Sequence, residues 1–60
     1  MQMFDKVKLN FDHNRLLTDD MISWMEEHKT SIFKIEKISD ESVKLFKINF
    51  WITKDLLILL

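Results

Sequence analysis

Apolar and polar side chains alternate near the start of the chain, which predicts a strand. Residues 4–11 divide into two sets: Val7, Leu9 and Phe11 on one side, Lys6, Lys8 and Asn10 on the other. A repeat of two residues is typical of a strand with one buried face. We therefore expect Leu9 and Phe11 to point into the core and the lysines to point outward. The polar residues 12–15 that follow indicate a loop.

The next segment predicts a helix over residues 18–29. Thr18 is a favourable N-cap, and Asp19 and Asp20 fall in the first turn, where the helix dipole stabilises negative charge. Apolar side chains then recur at helical spacing, with a histidine near the end: Met21, Trp24, Met25 and His28. Their spacing favours core packing, with a cofactor wall or a methionine-rich docking surface as the alternative.

Two more strands are predicted in the second half of the chain. Residues 31–38 alternate around Phe33 and Ile35, but Ile32 and Ile38 fall on the polar side, so we expect a bulge. Residues 39–42 form a turn, and residues 43–52 form the third strand. The side chains expected to face inward from that strand are Phe46, Ile48, Phe50 and Ile52. Those expected to face outward are Val43, Leu45, Lys47, Asn49 and Trp51.

The last eight residues allow two structures. Thr53 is able to cap a short C-terminal helix, whereas residues 55–60 also fit a fourth strand. Every residue from 56 to 60 is apolar, so this segment needs cover on all sides. It serves either as part of the core, as a dimer interface or swapped segment, or as a short helix that docks into another protein.

Two four-residue segments are nearly identical and relate the two halves of the chain. Residues 8–11 read KLNF and residues 47–50 read KINF, each ahead of a helix-start pattern. The predicted order is β-α-β-β-α in one α+β domain over residues 1–60, with a three-stranded antiparallel sheet and one main helix on one face. This order resembles the ferredoxin-like fold without its final strand. The resemblance implies that the first and third strands lie in the centre of the sheet.

Composition narrows the possible functions. The 60 residues include no cysteine, which excludes disulfides and thiolate metal sites, and the net charge of −1 gives no general attraction to nucleic acid. No apolar run is long enough to span a bilayer, and the N-terminus lacks a signal-peptide pattern, so we expect a cytoplasmic protein with no membrane partner. Glycine and proline are absent, which suggests an AT-rich genome. Size, composition and element order resemble short uncharacterised phage proteins.

The first functional hypothesis is a non-enzymatic module that binds another protein or itself, such as a phage-encoded modulator of a host protein. An open sheet edge and an apolar C-terminal segment both need a partner. The residues expected to bind that partner are Leu45, Trp51, Leu56, Leu57, Leu59 and Leu60.

The alternative is a single-stranded nucleic-acid binder that uses the outward face of the sheet. Aromatic rings among lysines stack bases and hold phosphates. The residues expected to do so are Phe4, Lys6, Lys8, Lys34, Lys47 and Trp51. RNA-recognition domains use the two central strands of the ferredoxin-like fold in this way, but their glycine-containing aromatic motif is absent here. A solvated face whose lysines discourage edge pairing is the simpler interpretation.

Polar residues near the first loop are the only candidates for catalysis or metal binding. They are Asp12, His13, Asn14 and Arg15, with Asp19 and Asp20 at the helix start. Their spacing matches no known set of metal ligands, and carboxylates in a first helical turn are ordinary capping residues. We therefore predict no catalytic residue, metal site or cofactor.

Overall fold

The structure, a computed structural model, describes all 60 residues and contains one helix and five strands. In chain order the elements are β1 (Lys6–Leu9), α1 (Asp19–Glu27), β2 (Ile32–Ile38), β3 (Ser42–Leu45), β4 (Trp51–Thr53), a 3-10 turn (Lys54–Leu56) and β5 (Leu57–Leu59). The α+β class is confirmed. The prediction of three strands is wrong, because the sheet has five, in the order β4-β3-β2-β1-β5 with every pair antiparallel.

The short link between the two edge strands shows that this sheet is curled. β4 and β5 lie at opposite edges, yet only the 3-10 turn Lys54–Leu56 separates them in sequence. Five flat strands would put the edges about 19 Å apart. The four residue steps from Thr53 to Leu57 span at most about 15 Å. The sheet therefore bends until its edges approach each other, although β4 and β5 do not pair.

β2 is the strand at which the sheet bends. Its first half, Ile32 to Lys34, pairs with β1, and its second half, from Ile35 to Ile38, pairs with β3. The register shifts between Ile35 and Lys37. This irregularity confirms the predicted bulge, and such bulges let one strand turn from one sheet into another.

The helix agrees closely with its prediction. α1 occupies Asp19–Glu27, and the hydroxyl of Thr18 accepts a hydrogen bond from the Met21 amide at 3.2 Å. His28 closes the other end. Met25 is the buried residue of α1, and it joins the core formed by the strands.

The predicted third strand over residues 43–52 is wrong, because a turn interrupts it. β3 ends at Leu45 and β4 begins at Trp51, and Lys47 adopts a left-handed φ of 69° between them. The KINF segment therefore lies in this turn, whereas the KLNF segment begins within β1. The two near-identical segments are not equivalent strands. The ferredoxin-like arrangement is not matched either, because β2 lies between β1 and β3 and a second long helix is absent.

The turn also reverses which side chains of this segment face the core. Val43, Leu45 and Ile52 are buried, whereas Phe46 and Phe50 are exposed. Only Ile52 was predicted correctly as an inward residue among these buried positions, and Val43 and Leu45 were expected to face outward. Lys44 and Trp51 are cross-strand neighbours and therefore face the same side. They are seven positions apart, and in an unbroken strand an odd separation would place them on opposite sides.

Nine apolar side chains form the core, and the C-terminal segment supplies two of them. The buried set is Val7, Leu9, Met25, Ile35, Val43, Leu45, Ile52, Leu56 and Leu57. Phe11, expected to be buried, lies beyond the end of β1 and is exposed. The segment after Thr53 combines the two predicted forms, since it makes one 3-10 turn and then a strand paired with β1.

Candidate functional site

Three lysines project from one face of the β5-β1-β2 part of the sheet. Lys6 is the direct cross-strand neighbour of Lys34, and Lys8 lies between Ile32 on β2 and Ile58 on β5. The residues that alternate with them on β1 are buried. These lysines therefore share the outer face, as the alternation of β1 predicted.

Exposed apolar side chains surround the three lysines. We define the lysine face as Lys6, Lys8 and Lys34 with their neighbours Phe4, Ile32, Phe46, Ile58 and Leu60. Leu60 joins it because its amide donates a hydrogen bond to the Lys6 carbonyl at 3.0 Å. Ile32 is 63% exposed and Phe4 is 61% exposed. A folded monomer leaves such side chains in water at a cost of about 25 cal/mol for each Å² of apolar surface.

No carboxylate lies within 4.0 Å of the ammonium groups on the lysine face. The two ion pairs within 4.0 Å are Arg15–Asp55 and Lys44–Glu36, neither of which includes Lys6, Lys8 or Lys34. By contrast, α1 contains four acidic residues and no basic one. The chain is nearly neutral in total, but its sheet face is positive and its helix is negative.

Two phenylalanines close one end of the lysine face. The Phe46 amide donates to the Lys34 carbonyl at 3.0 Å, which places Phe46 beside Lys34. The Phe4 and Phe46 rings stack with their centroids 6.1 Å apart. Phe4 has a φ of 69°, an uncommon value for a bulky residue. The position of Phe46 on this surface was not predicted, because its side chain was expected to face the core.

The structure brings together four of the six residues predicted for nucleic-acid binding. Phe4, Lys6, Lys8 and Lys34 all lie on the lysine face. Lys47 lies in the β3–β4 turn. Trp51 lies on β4, where it is the cross-strand neighbour of Lys44 in the other half of the sheet.

The residues predicted to bind a protein partner divide into a buried and an exposed group. Leu45, Leu56 and Leu57 are 0%, 3% and 5% exposed, so they lie in the core of the folded chain and not on its surface. They are buried because β3, the 3-10 turn and β5 direct Leu45, Leu56 and Leu57, respectively, into the curl of the sheet. The exposed group is Trp51, Leu59 and Leu60.

Side chains of the polar segment after β1 form a hydrogen bond and an ion pair with the 3-10 turn. Asn10 donates from its side chain to the Asp55 carbonyl at 3.0 Å, and Arg15 pairs with the Asp55 carboxylate at 2.5 Å. The Arg15 hydrogen bond keeps the pKa of Asp55 below its ordinary value of 3.8. Asp12 and His13 contribute local bonds, to Asn10 and to the Arg15 amide. These bonds give the loop a structural role.

A second ion pair lies beside the bend of β2. The Lys44 ammonium donates to the Glu36 carboxylate at 2.6 Å, and both side chains are partly buried. This hydrogen bond lowers the pKa of Glu36 from its ordinary value of 4.5. Lys44 is thereby neutralised, unlike the three lysines of the lysine face.

Aromatic rings gather where α1 meets the sheet. Trp24 stacks on His28 at 4.7 Å and on Phe33 at 5.7 Å, measured between ring centroids, and it meets Phe50 edge-on at 5.2 Å. Helical spacing predicted that Trp24 would pack against the core, which is confirmed. Its contact with Phe50 depends on the unpredicted turn between β3 and β4.

The nine-residue α1 falls well short of the length that a membrane-spanning helix requires. No group of three or more His, Cys, Asp or Glu side chains is placed to hold a metal ion. Neither a scan of protein-family models nor searches of curated proteins and solved structures finds a match to this chain. Its function is therefore inferred from the geometry and charge of its surface.

Proposed function

We propose that this chain is a non-enzymatic protein-binding module and that the lysine face is its binding surface. The observation that carries the proposal is the direct pairing of Lys6 with Lys34 among exposed apolar side chains, with no carboxylate within 4.0 Å of either ammonium group. The fitting partner is a protein surface that offers acidic side chains among apolar ones.

The folded monomer gains nothing from this arrangement. Like charges at directly opposed strand positions are destabilising, on the scale of about 0.2–1 kcal/mol for a cross-strand pair. The exposed isoleucines and phenylalanines likewise gain burial only when another molecule covers them. A partner with carboxylates opposite Lys6, Lys8 and Lys34 would offset the repulsion between the lysines. The same partner would also cover the exposed apolar side chains.

Charge favours a different protein over a second copy at this surface. A symmetric dimer would place the same patch of both copies together. Three lysines from one copy would then meet three from the other, with no carboxylate between them. The free edge of β5 is also only three residues long, which limits edge-to-edge pairing. A host protein targeted by a phage-encoded modulator is one partner of this kind.

Affinity capture with matched charge variants tests the proposal. Tagged wild-type protein, Lys8→Glu and Lys37→Glu are each incubated with lysate of the cells that produce the protein, and retained proteins are quantified by mass spectrometry. Lys37 is a suitable control because it is exposed and pairs with Lys44, outside the lysine face.

The expected result is one protein that wild type and Lys37→Glu retain equally and that Lys8→Glu loses. Retention should also fall as salt rises, because the contact is electrostatic. Equal retention by both variants would place binding elsewhere. Failure of wild type to retain any salt-sensitive partner would argue against the function itself.

A single-stranded nucleic acid is the second candidate, because the Phe4 and Phe46 rings lie beside Lys6 and Lys34. Exposed rings next to lysines suit base stacking and phosphate contact. Fluorescence anisotropy with a labelled oligothymidine of about 12 nucleotides would detect it. Three phosphate contacts predict a slope of log affinity against log salt of about −2. Binding that Phe4→Ser and Lys34→Glu both weaken would favour this candidate over a protein partner.

A further inference from the structure

A shallow pocket opens between the start of α1 and the β3–β4 turn, away from the residues that define the lysine face. Its volume is about 360 Å³, within the range of small-ligand pockets. Five residues line it: Thr18, Asp20, Met21, Trp24 and Phe50. The wall is thus two aromatic rings and a thioether side chain, with one carboxylate at the edge.

The Trp24 indole lines this pocket and has three aromatic neighbours. His28 and Phe33 both pack against Trp24, but their centroids are only 6.0 Å apart. Rings stacked on opposite faces of the indole would be separated by about 7 Å or more, since each contact needs about 3.5 Å. The two rings therefore lie to the same side of Trp24. Phe50 approaches at an interplanar angle of 76°, which forms a corner with the indole.

The charges around the pocket favour a cation. The faces of aromatic rings are negative, and Asp20 lies one helical turn before Trp24 on α1. Asp19 adds a second carboxylate to the same turn, and α1 contains no basic residue. The positive end of the helix dipole opposes a cation there, but it amounts to about half a charge against two carboxylates.

Few groups in the pocket accept hydrogen bonds, which narrows the kind of cation. Asp20 provides the carboxylate, and the Thr18 hydroxyl already accepts a hydrogen bond from the Met21 amide. A primary ammonium has three N–H donors and would lose hydrogen bonds to water on entering. A trimethylammonium group has no N–H donor. Its methyl groups pack against the aromatic rings, and the negative ring faces attract its positive charge.

We infer that this pocket binds a quaternary ammonium group, with Trp24 and Phe50 as its aromatic walls and Asp20 as its counter-charge. The site is separate from the proposed protein-binding surface and does not depend on it. A trimethylated lysine side chain and a choline headgroup share the chemistry that the pocket recognises.

Two ligands of nearly equal shape test the inference. Choline carries a trimethylammonium group, and 3,3-dimethylbutan-1-ol replaces its nitrogen with carbon and has no charge. Each is titrated into ¹⁵N-labelled protein while the indole N–H signals of Trp24 and Trp51 are followed by NMR. Trp51 is the internal control because it does not line the pocket. Choline should shift the Trp24 signal and bind about three- to thirtyfold more tightly than the alcohol.

Variants then separate charge from packing. Asp20→Asn should weaken choline binding about threefold or more and leave the alcohol unchanged, whereas Asp19→Asn, outside the lining, should have a smaller effect. Phe50→Leu keeps an apolar wall but removes the aromatic ring, so the preference for choline over the alcohol should decrease. Well-dispersed amide signals in the NMR spectrum of this variant would show that it is folded. Equal affinity for the two ligands, no shift of Trp24, or equal effects of the two aspartate variants would overturn the inference. If a trimethyllysine peptide binds more tightly than choline, the natural ligand is a methylated protein tail. If choline binds more tightly than the peptide, the natural ligand is a choline headgroup.

Discussion

Lys6 and Lys34 face each other as direct neighbours across β1 and β2. Neither has a carboxylate within 4.0 Å, whereas Lys44 nearby is paired with Glu36. The fold thus neutralises one lysine of the sheet and leaves an opposed pair without a counter-charge. We interpret this pair as a feature maintained for binding at some expense of stability, as functional sites often are.

Reversing either charge of the pair should stabilise the protein. Lys34→Glu replaces a repulsive neighbour of Lys6 with an attractive one, so the free energy of unfolding should rise by about 0.5 kcal/mol. Lys6→Glu should act similarly. The double variant restores a pair of like charges, so its stability should fall below the sum of the single effects. Urea unfolding at low salt, followed by tryptophan fluorescence, measures all four proteins.

Lys37→Glu controls for the general effect of adding a negative charge to β2. Residue 37, like residue 34, is the cross-strand neighbour of a lysine, but this neighbour, Lys44, is already paired with Glu36. Its gain in stability should therefore be smaller than that of Lys34→Glu. Strictly additive effects of the Lys6 and Lys34 substitutions would show that the two ammonium groups do not interact.

The C-terminal leucines should differ sharply in their contribution to stability. Leu57 is buried opposite Leu9, whereas Leu59, on the same strand, is 50% exposed. Leu57→Ala should lower the free energy of unfolding by about 2–5 kcal/mol, because it leaves a cavity. That loss approaches the whole stability of a domain of this size, about 3–5 kcal/mol.

Leu59→Ala is the matched control, and it should change stability by less than about 1 kcal/mol because half of its side chain is already in water. Thermal unfolding followed by circular dichroism compares the two variants. Similar melting temperatures for both would contradict the placement of Leu57 in the core.

The two ion pairs should make the fold sensitive to acid. Each lowers the pKa of its carboxyl group in the folded state, through Lys44 for Glu36 and through Arg15 for Asp55. A carboxylate whose pKa is lower when folded contributes stability at pH above its ordinary pKa. That contribution is lost as the pH falls through the lower folded value. Stability should therefore decline as the pH drops below 4.5 for Glu36 and below 3.8 for Asp55.

Replacing Lys44 isolates one of these contributions. Lys44→Met removes the hydrogen bond that is the largest cause of the Glu36 shift, so stability should depend less on pH below 4.5. Lys37→Met removes only a weaker charge interaction with Glu36 and should flatten the curve less. Urea unfolding across this pH range measures both. A pH dependence unchanged by Lys44→Met would mean that the pair does not lower the pKa of Glu36.

Local patterns predicted α1 and β2 well. Thr18 caps α1 because its hydroxyl reaches an amide three residues away, a contact within one turn of chain. The bulge in β2 was visible because Ile38 fell on the polar side of the alternation, and the register shift before it turns Ile38 toward Val43. Ile32 keeps the alternation and is exposed on the lysine face. Such features depend on neighbouring residues alone.

The β3–β4 turn was missed because the segment contains no glycine or proline to mark a turn. Its one sign in the sequence is a change of phase, since the apolar residues lie at odd positions up to Leu45 and at even positions from Phe46 to Phe50. Lys47 nevertheless adopts a φ of 69°, and the Ile48 amide bonds to the Leu45 carbonyl at 3.2 Å. The turn lets Ile52 join Val43 and Leu45 in one core, which is a consequence of packing across the whole chain.

The same distinction applies to the binding surfaces. Alternation predicted that Lys6 and Lys8 point outward, and with Phe4 and Lys34 the sequence analysis placed four of the eight residues of the lysine face on the outward side. Ile58 and Leu60 joined it only because β5 pairs with β1. The pocket beside Trp24 depends on Phe50, which the turn brings to the helix.

The fraction of bound partner that Lys8→Glu retains relative to Lys37→Glu tests the central claim most directly. Both variants are exposed on the sheet and change the charge equally, but only Lys8 lies on the lysine face. We predict that Lys37→Glu retains as much partner as wild type and that Lys8→Glu retains about a tenth or less, as loss of a charge contact of about 1.4 kcal/mol or more requires. Equal retention by the two variants would contradict the assignment of the lysine face as the binding surface.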